Sequence, residues 1–382
     1  MLTAIAVDGY RSLRSLVVPL ERLTLVTGAN GAGKSSLYRA LRLLAAAGEG
    51  RIVAALAEEG GLASTLWAGP EGGPRPGVAT QGGVRQQPVA LRLGVGSDDF
   101  GYAIDLGVPQ PSRSAFSRDP EIKSEAVWSG PLLRPATLLT ERRGPLVRTR
   151  GAEGWRDTEL RLPPWSSVVA ELGDPREAAE VLSVRRSLRA WRFYDALRTD
   201  RDAPARTPRV GTRTPVLASD GADLAAALQT IREIGDGDAL DAAVADALDG
   251  SRLEEVAPVD GRFALRVRQP GMLRPMEAGE LSEGTLRFLL LAAALLSPRP
   301  AELLVLNEPE GSLHPQLIEP LAAMIGRAAE ESQIVVVSHS ADLAAGLRRH
   351  GAAHHELVKA DGETRIADTG PLEGPPWAWP SR

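Results

Sequence analysis

The chain has 382 residues, 43% of them hydrophobic, a formal charge of −5 and no cysteine. That length exceeds one ordinary domain and that apolar content can bury a substantial core, whereas the lack of cysteine excludes a disulfide framework and a thiolate zinc site. No apolar run reaches the roughly 20 residues a membrane helix needs, and Met1 to Val7 reads as a strand with neither a basic start nor a cleavage-site pattern, so a soluble cytoplasmic protein with no membrane partner is expected.

After that strand come Asp8-Gly9-Tyr10-Arg11-Ser12-Leu13 and then an apolar run, Leu23 to Thr27, which predicts a buried strand. It leads directly into Gly28-Ala29-Asn30-Gly31-Ala32-Gly33-Lys34-Ser35, a complete P-loop match, and the helical stretch Ser36 to Leu44. Strand, glycine-rich turn and helix are the context this motif requires. The glycines let the backbone wrap a polyphosphate, the N–H groups from Gly31 to Ser35 can point inward, and the helix N-terminus adds partial positive charge. The nucleotide-binding candidates are therefore Asn30, Gly31, Ala32, Gly33, Lys34, Ser35 and Ser36. Lys34 would bridge the β- and γ-phosphates of ATP, and the Ser35 hydroxyl would take one Mg²⁺ position.

Residues 69–87 are rich in Gly, Pro and Gln and read as a mobile loop, and 88–107 alternate about a Gly-Ser-Asp-Asp turn as an antiparallel hairpin does. Residues 176–198 and 222–249 read as helical, separated by a Pro/Thr/Arg-rich connector at 203–215. No heptad repeat is sustained, which excludes a long coiled coil. Residues 134–213 hold 17 Arg against 11 Asp and Glu, a local balance of +6 that leaves −11 for the remainder. Arg142, Arg143, Arg148 and Arg150 lie together, and Arg185, Arg186, Arg189 and Arg192 recur at helical spacing. Such a face could neutralise the phosphates of DNA or RNA, or could be a solvated helix paired with Glu177 and Glu180.

Leu281-Ser282-Glu283-Gly284-Thr285 precedes an apolar helical stretch, Leu286 to Leu296. Ser282 is a good N-cap and Gly284 lets a ligand approach the first turn, so this is a second helix N-terminus suited to an anion. Leu303 to Leu306 then forms a short apolar strand with Asn307-Glu308-Pro309-Glu310 at its carboxyl end, where ligands bind in open α/β sheets. A last strand, Ile334 to Val337, ends in Ser338-His339-Ser340, whose imidazole can donate to a γ-phosphate oxygen. His350, His354 and His355 show no metal-ligand spacing and read as surface residues, and the tail with Trp377 and Trp379 is expected to dock onto the body.

In this order the segments resemble ABC-ATPase-type P-loop proteins of the RecF/SMC and OLD-like branch, over roughly residues 1–107 and 275–360. The resemblance implies an α/β fold, a P-loop NTPase with an ABC-type ATPase head, whose mixed sheet carries an antiparallel β lobe and a helical insertion. Residues 1–110 and 275–382 would form the head, and 111–274 the Arg-rich, partly helical insertion. Residues 281–285 are similar to the signature sequence and 303–310 to Walker B, which makes Glu308 the carboxylate that polarises the attacking water. His339 falls at the switch histidine and Arg11 at a basic residue that reaches the nucleotide; Gln81, Gln86 and Gln87 compete for a γ-phosphate-sensing glutamine. Asn307 departs from the pattern, because most relatives hold Mg²⁺ there with Asp or Glu. Either Ser35, the phosphates and water hold the metal, or the roles slide, with Glu308 serving the metal and Glu310 the water. The implied protein is an Mg²⁺-dependent ATPase and an ATP-dependent homodimer, with Ser282 and Gly284 of one copy facing Lys34 and Ser35 of the other. DNA repair or chromosome maintenance is the leading expectation; the alternative is a defence or signalling ATPase that controls a separate protein effector.

Overall fold

The computed structural model describes residues 1–69, 90–111, 113–176, 178–254, 260–367 and 374–382. Two compact units make up the chain: one of Met1–Glu21, Val26–Trp191 and His355–Arg382, the other of Arg22–Leu25 and Arg192–His354. Elements are numbered in chain order, and strand β3 (Leu23–Gly28) contributes its first residues to the second unit and its last to the first.

The first unit is built on an antiparallel sheet of eight strands. These are β1 (Leu2–Tyr10), β2 (Leu13–Pro19), β4 (Leu91–Ser97), β5 (Phe100–Gly107), β6 (Glu121–Ser129), β7 (Leu138–Arg143), β8 (Leu146–Gly151) and β9 (Gly154–Arg161), in the order β2-β1-β4-β5-β6-β7-β8-β9. The expected hairpin is β4–β5, with Leu91 opposite Leu106 and Val95 opposite Tyr102. Helices α1 (Lys34–Gly48), α2 (Ile52–Glu58), α3 (Leu62–Thr65), α4 (Val168–Glu171) and α5 (Ala179–Ala190) belong to the same unit. So does the hairpin of β18 (Ala353–Ala360) and β19 (Glu363–Ile366), from His355 onward. The tail docks as expected: Trp377 packs edge-on against Trp128 at 5.7 Å and Trp379 against Trp377 at 5.5 Å, over Ala103 and Ala126. Arg382 then pairs with the buried Asp105 at 2.8 Å.

The arginines divide between buried and exposed positions: Arg142 is buried, whereas Arg143, Arg150, Arg186 and Arg189 are exposed. Arg142 is fully buried and pairs with the equally buried Glu125 at 2.9 Å. The remaining Arg142 donors go to Gly144 O, Pro163 O and Ser166 O, while Glu125 also accepts from the Tyr102 and Ser167 hydroxyls and the Val168 N–H. A buried ion pair is tolerable when its other hydrogen-bonding positions are filled in this way. Burial, reinforced by Glu125, holds the Tyr102 hydroxyl well above its ordinary pKa. Arg143 and Arg148 share Glu141, Arg185 donates to Val169 O and Leu172 O, and Arg189 donates to Gly48 O at 2.9 Å. Glu177 lies outside the described residues.

The second unit contains three parallel strands, β10 (Arg192–Tyr194), β16 (Leu303–Asn307) and β17 (Gln333–Val337). Leu304 faces Ile334 and Leu306 faces Val336, and the Ile334 N–H donates to Arg22 O at 2.8 Å. Strands buried on both faces read as unbroken apolar runs, which is why β16 and β17 were legible. β10 corrects the expected helix over 176–198, which ends at Ala190: pairing of Arg192–Tyr194 with Leu304–Leu306 overrides local helical spacing. The stretch 222–249 likewise splits into α6 (Leu224–Ile234) and α7 (Gly237–Ala247), because Asp236 caps the second helix by accepting from the Ala239 N–H at 2.9 Å. Helices α8 (Glu283–Leu295), α9 (Ile318–Ala328) and α10 (Ala341–Arg349) complete a continuous apolar core with β16 and β17. Short strands β11 (Arg209–Val210) and β13 (Arg262–Phe263) form one ribbon, and β12 (Arg252–Leu253), β14 (Arg266–Arg268) and β15 (Met276–Glu277) another small sheet. Among the described residues no helix is long and apolar enough to cross a membrane.

Candidate functional site

In the first unit, β3 feeds a turn that opens α1, so the sequence-predicted phosphate loop is the observed strand-to-helix connection. Gly31 sits at φ +79° with nothing within 4 Å of where a Cβ would stand, which leaves its surface open to a ligand. Gly33 is at φ +107°, and a Cβ there would lie 2.3 Å from Thr364 Oγ1, so β19 backs the loop closely. Thr364 Oγ1 donates to Ala32 O at 2.8 Å and lies 2.8 Å from Ser12 Oγ, a brace that the sequence alone did not single out. Gly33 N-caps α1 without a side-chain cap, leaving the first-turn N–H groups for an anion.

Lys34 is 6% exposed and donates to Gly28 O at 2.6 Å and Ala29 O at 3.2 Å. A buried ammonium satisfied by two carbonyls, with no carboxylate beside it among the described residues, still lacks a countercharge, and this fits a polyphosphate. Asn30 and Ser35 are exposed and Ser36 is half-buried. Arg11, at φ +50°, pairs with Glu59 at 2.7 Å and lies over the Tyr10 ring at 5.5 Å.

In the second unit the signature-like, Walker B-like and switch-like segments come together. Ser282 is the N-cap of α8, its hydroxyl accepting from the Thr285 N–H at 3.1 Å, and it is exposed. A Cβ on Gly284 would stand 3.0 Å from Ser312 O, so the first turn of α8 lies against the loop after Walker B. Glu308, at φ +48°, follows β16 with its carboxylate half-exposed and 3.6 Å from His339 Nδ1. Glu310 is buried. Its Oε1 accepts from the Ser338 hydroxyl at 2.5 Å and from the His339 and Ser340 N–H groups at 3.1 and 3.2 Å. Its Oε2 and the Asn307 Oδ1 are buried without a partner among the described residues.

Two orphaned oxygen acceptors three residues apart, at and just beyond a strand end, are suited to a hard dication or its water shell. Among the described residues no group of three His, Cys, Asp or Glu side chains could hold a metal by itself, so phosphates or water would have to complete the shell. Gln81, Gln86 and Gln87 lie outside the described residues. Arg287, a single arginine within the apolar run of α8, also reaches this cluster: its Nη2 donates to Glu308 O at 3.2 Å. An ionic side chain interrupting Leu286 to Leu296 was the sequence signal that could have found it.

Residues 23–345 match the model of a family described as "AAA domain, putative AbiEii toxin, Type IV TA system". No curated protein sequence matches the chain. Among solved structures, the chain is similar to an SMC head bound to the C-winged helix domain of ScpA, at 14% identity and a TM-score of 0.50 over 96% of either chain. It is also similar to the SMC head domain from Thermotoga maritima, at 12% identity and a TM-score of 0.49 over 96% of this chain and 98% of that one. A third is the Smc head with an extended coiled coil, bound to the C-terminal domain of ScpA, derived from Pyrococcus furiosus. There the identity is 13% and the TM-score 0.49, over 96% of this chain and 95% of that one. The first of these likenesses identifies the fold as that of an SMC head.

Proposed function

We propose, since the chain belongs to the AAA-domain family whose model spans residues 23–345 and is a P-loop ATPase of the SMC, RecF and OLD-like type, that it is an Mg²⁺-dependent ATPase switch. Its closed form would be a head-to-tail homodimer, and its output would be control of a separate protein effector. The observation that carries the catalytic reading is the division of labour between two carboxylates. Glu308 is half-exposed and free to orient water, whereas Glu310 is pinned through Oε1 with Oε2 left over.

In the first unit Lys34 and the N–H groups of α1 would neutralise and orient the phosphates and Ser35 would offer its hydroxyl to Mg²⁺; in the second, Asn307 and Glu310 would offer oxygens suited to the same kind of ion. Mg²⁺, when bound, would supply charge neutralisation for the phosphates. Glu308 would accept a hydrogen bond from the attacking water, and His339, carried on the turn that Glu310 fixes, would donate to a γ-phosphate oxygen. Asn307 is thus compensated by Glu310, with Glu308 kept for the water. The exposed Ser282 at the positive end of a 13-residue helix supports a role opposite another copy's γ-phosphate.

Two observations favour a protein effector over DNA. Five of the arginines that carried the nucleic-acid reading, Arg142, Arg143, Arg148, Arg185 and Arg189, are buried or engaged with carboxylates and carbonyls, while Arg186 is exposed, and the family's description names a toxin–antitoxin system. DNA repair or chromosome maintenance keeps the support of the head fold alone. ATPase and gel-shift assays at low salt, with single-stranded and duplex DNA, test the choice. Hydrolysis without DNA binding or stimulation is expected; steeply salt-dependent binding that stimulates turnover would restore the DNA reading.

A further inference from the structure

Helix α8 buries one ionic side chain, Arg287, 9% exposed and flanked by the fully buried Leu286, Phe288 and Leu290. A guanidinium in such a place needs fixed acceptors, and it finds two carbonyls on separate segments. Nη1 donates to Leu197 O at 2.9 Å and Nη2 to Glu308 O at 3.2 Å, while Nε is buried without a partner. Burial lowers its pKa, opposed by Glu310 and Asp195.

The second acceptor is the informative one. Glu308 holds φ +48°, a left-handed conformation that a side-chain-bearing residue keeps only where its surroundings over-determine it. Three bonds do so here: the Glu308 N–H to Val337 O at 2.8 Å, and donations to Glu308 O from the Gly311 N–H at 3.1 Å and from Arg287. Two of the three come from the sheet and the local turn. The third comes from α8, the helix whose N-terminus carries Ser282, and the close approach of Gly284 to Ser312 O ties that helix to the same loop a second time.

Resting on the reading of Glu308 as the water-orienting base, we infer that Arg287 is a positioning residue that couples the signature helix to Glu308. Engagement of Ser282 by nucleotide would set the placement of α8, and Arg287 would pass that placement to the backbone that aims the carboxylate. Arg287 touches no reacting atom; its effect should therefore fall on turnover and leave nucleotide affinity intact.

The test measures kcat, KM and nucleotide affinity for the full chain with Glu308→Gln, Arg287→Lys, Arg287→Met and the double change Arg287→Lys with Glu308→Gln. Lysine keeps the charge but lacks the planar fork that reaches both carbonyls. Arg287→Lys is expected to lower kcat on the order of 10- to 100-fold with KM within about 2-fold, the scale of a misaimed catalytic group. In the Glu308→Gln background the same change should cost nothing further, because both act through one carboxylate. Should Arg287→Met fail to fold, Arg287→Lys carries the test. The inference is overturned if Arg287→Lys keeps wild-type kcat while losing only thermal stability, if its loss multiplies that of Glu308→Gln, or if KM moves in place of kcat. Failure of the underlying reading has a different signature, wild-type turnover in Glu308→Gln itself, and that result removes the inference too.

Discussion

Ser338 and Glu310 meet beyond the carboxyl ends of the parallel strands β17 and β16, the serine hydroxyl donating to Glu310 Oε1 at 2.5 Å. The same oxygen takes the N–H groups of His339 and Ser340, so Glu310, which the sequence offered as a rival water-activating base, is tied to the turn that carries His339. Its second oxygen remains without a partner among the described residues, as does Asn307 Oδ1.

This division separates the two carboxylates experimentally. Glu308→Gln is expected to bind ATP and to hydrolyse it at least ~100-fold more slowly, within the usual range for losing a general base. Glu310→Gln should instead raise the Mg²⁺ concentration needed for half-maximal turnover, because an amide can place a donor where Oε2 offers an acceptor. Single-turnover hydrolysis across an Mg²⁺ titration distinguishes them; a larger loss at saturating Mg²⁺ in Glu310→Gln would exchange the two roles.

Lys34→Ala should abolish measurable ATP affinity, since the phosphate charge would lose its buried counterion. Calorimetric titration reads this directly, and wild-type affinity in the variant would end the P-loop assignment.

Arg142→Met is expected to destabilise the protein by about 3–5 kcal/mol, because it strands Glu125 as a buried, uncompensated charge. Denaturant unfolding monitored by tryptophan fluorescence would show the midpoint falling. An unchanged midpoint would mean that the Glu125–Arg142 pair is not closed off from water and would reopen Arg142 as a surface contact.

The phosphate loop, the capped helix at Ser282 and the strands at 303–307 and 333–337 were legible because each is specified within a few consecutive residues. Glycine spacing, a serine cap and unbroken apolar runs need no knowledge of the partner strand. Strands β7 to β9 were not legible. β7 reads Leu-Leu-Thr-Glu-Arg-Arg and buries Thr140, Glu141 and Arg142, so its buried positions are polar and their burial is sustained by ion pairs to the neighbouring strands, Arg142 with Glu125 on β6 and Glu141 with Arg148 on β8. A hydrophobic-periodicity reading fails on such a strand. The partners of Arg142, Arg185 and Arg189 were hidden for the same reason: sequence gives their charge, while Glu125 and the carbonyls at 48, 169 and 172 that accept their hydrogen bonds are brought close by the fold.

The central claim, a nucleotide closed between two copies of this chain, is tested most directly by light scattering on the Glu308→Gln protein with and without ATP and Mg²⁺. The account predicts monomer without nucleotide, a shift to dimer with it, and loss of that shift in Glu308→Gln combined with Ser282→Arg, where a long side chain would occupy the anion-binding end of α8. A protein that stays monomeric with bound ATP, or a dimer indifferent to both nucleotide and Ser282, would contradict it.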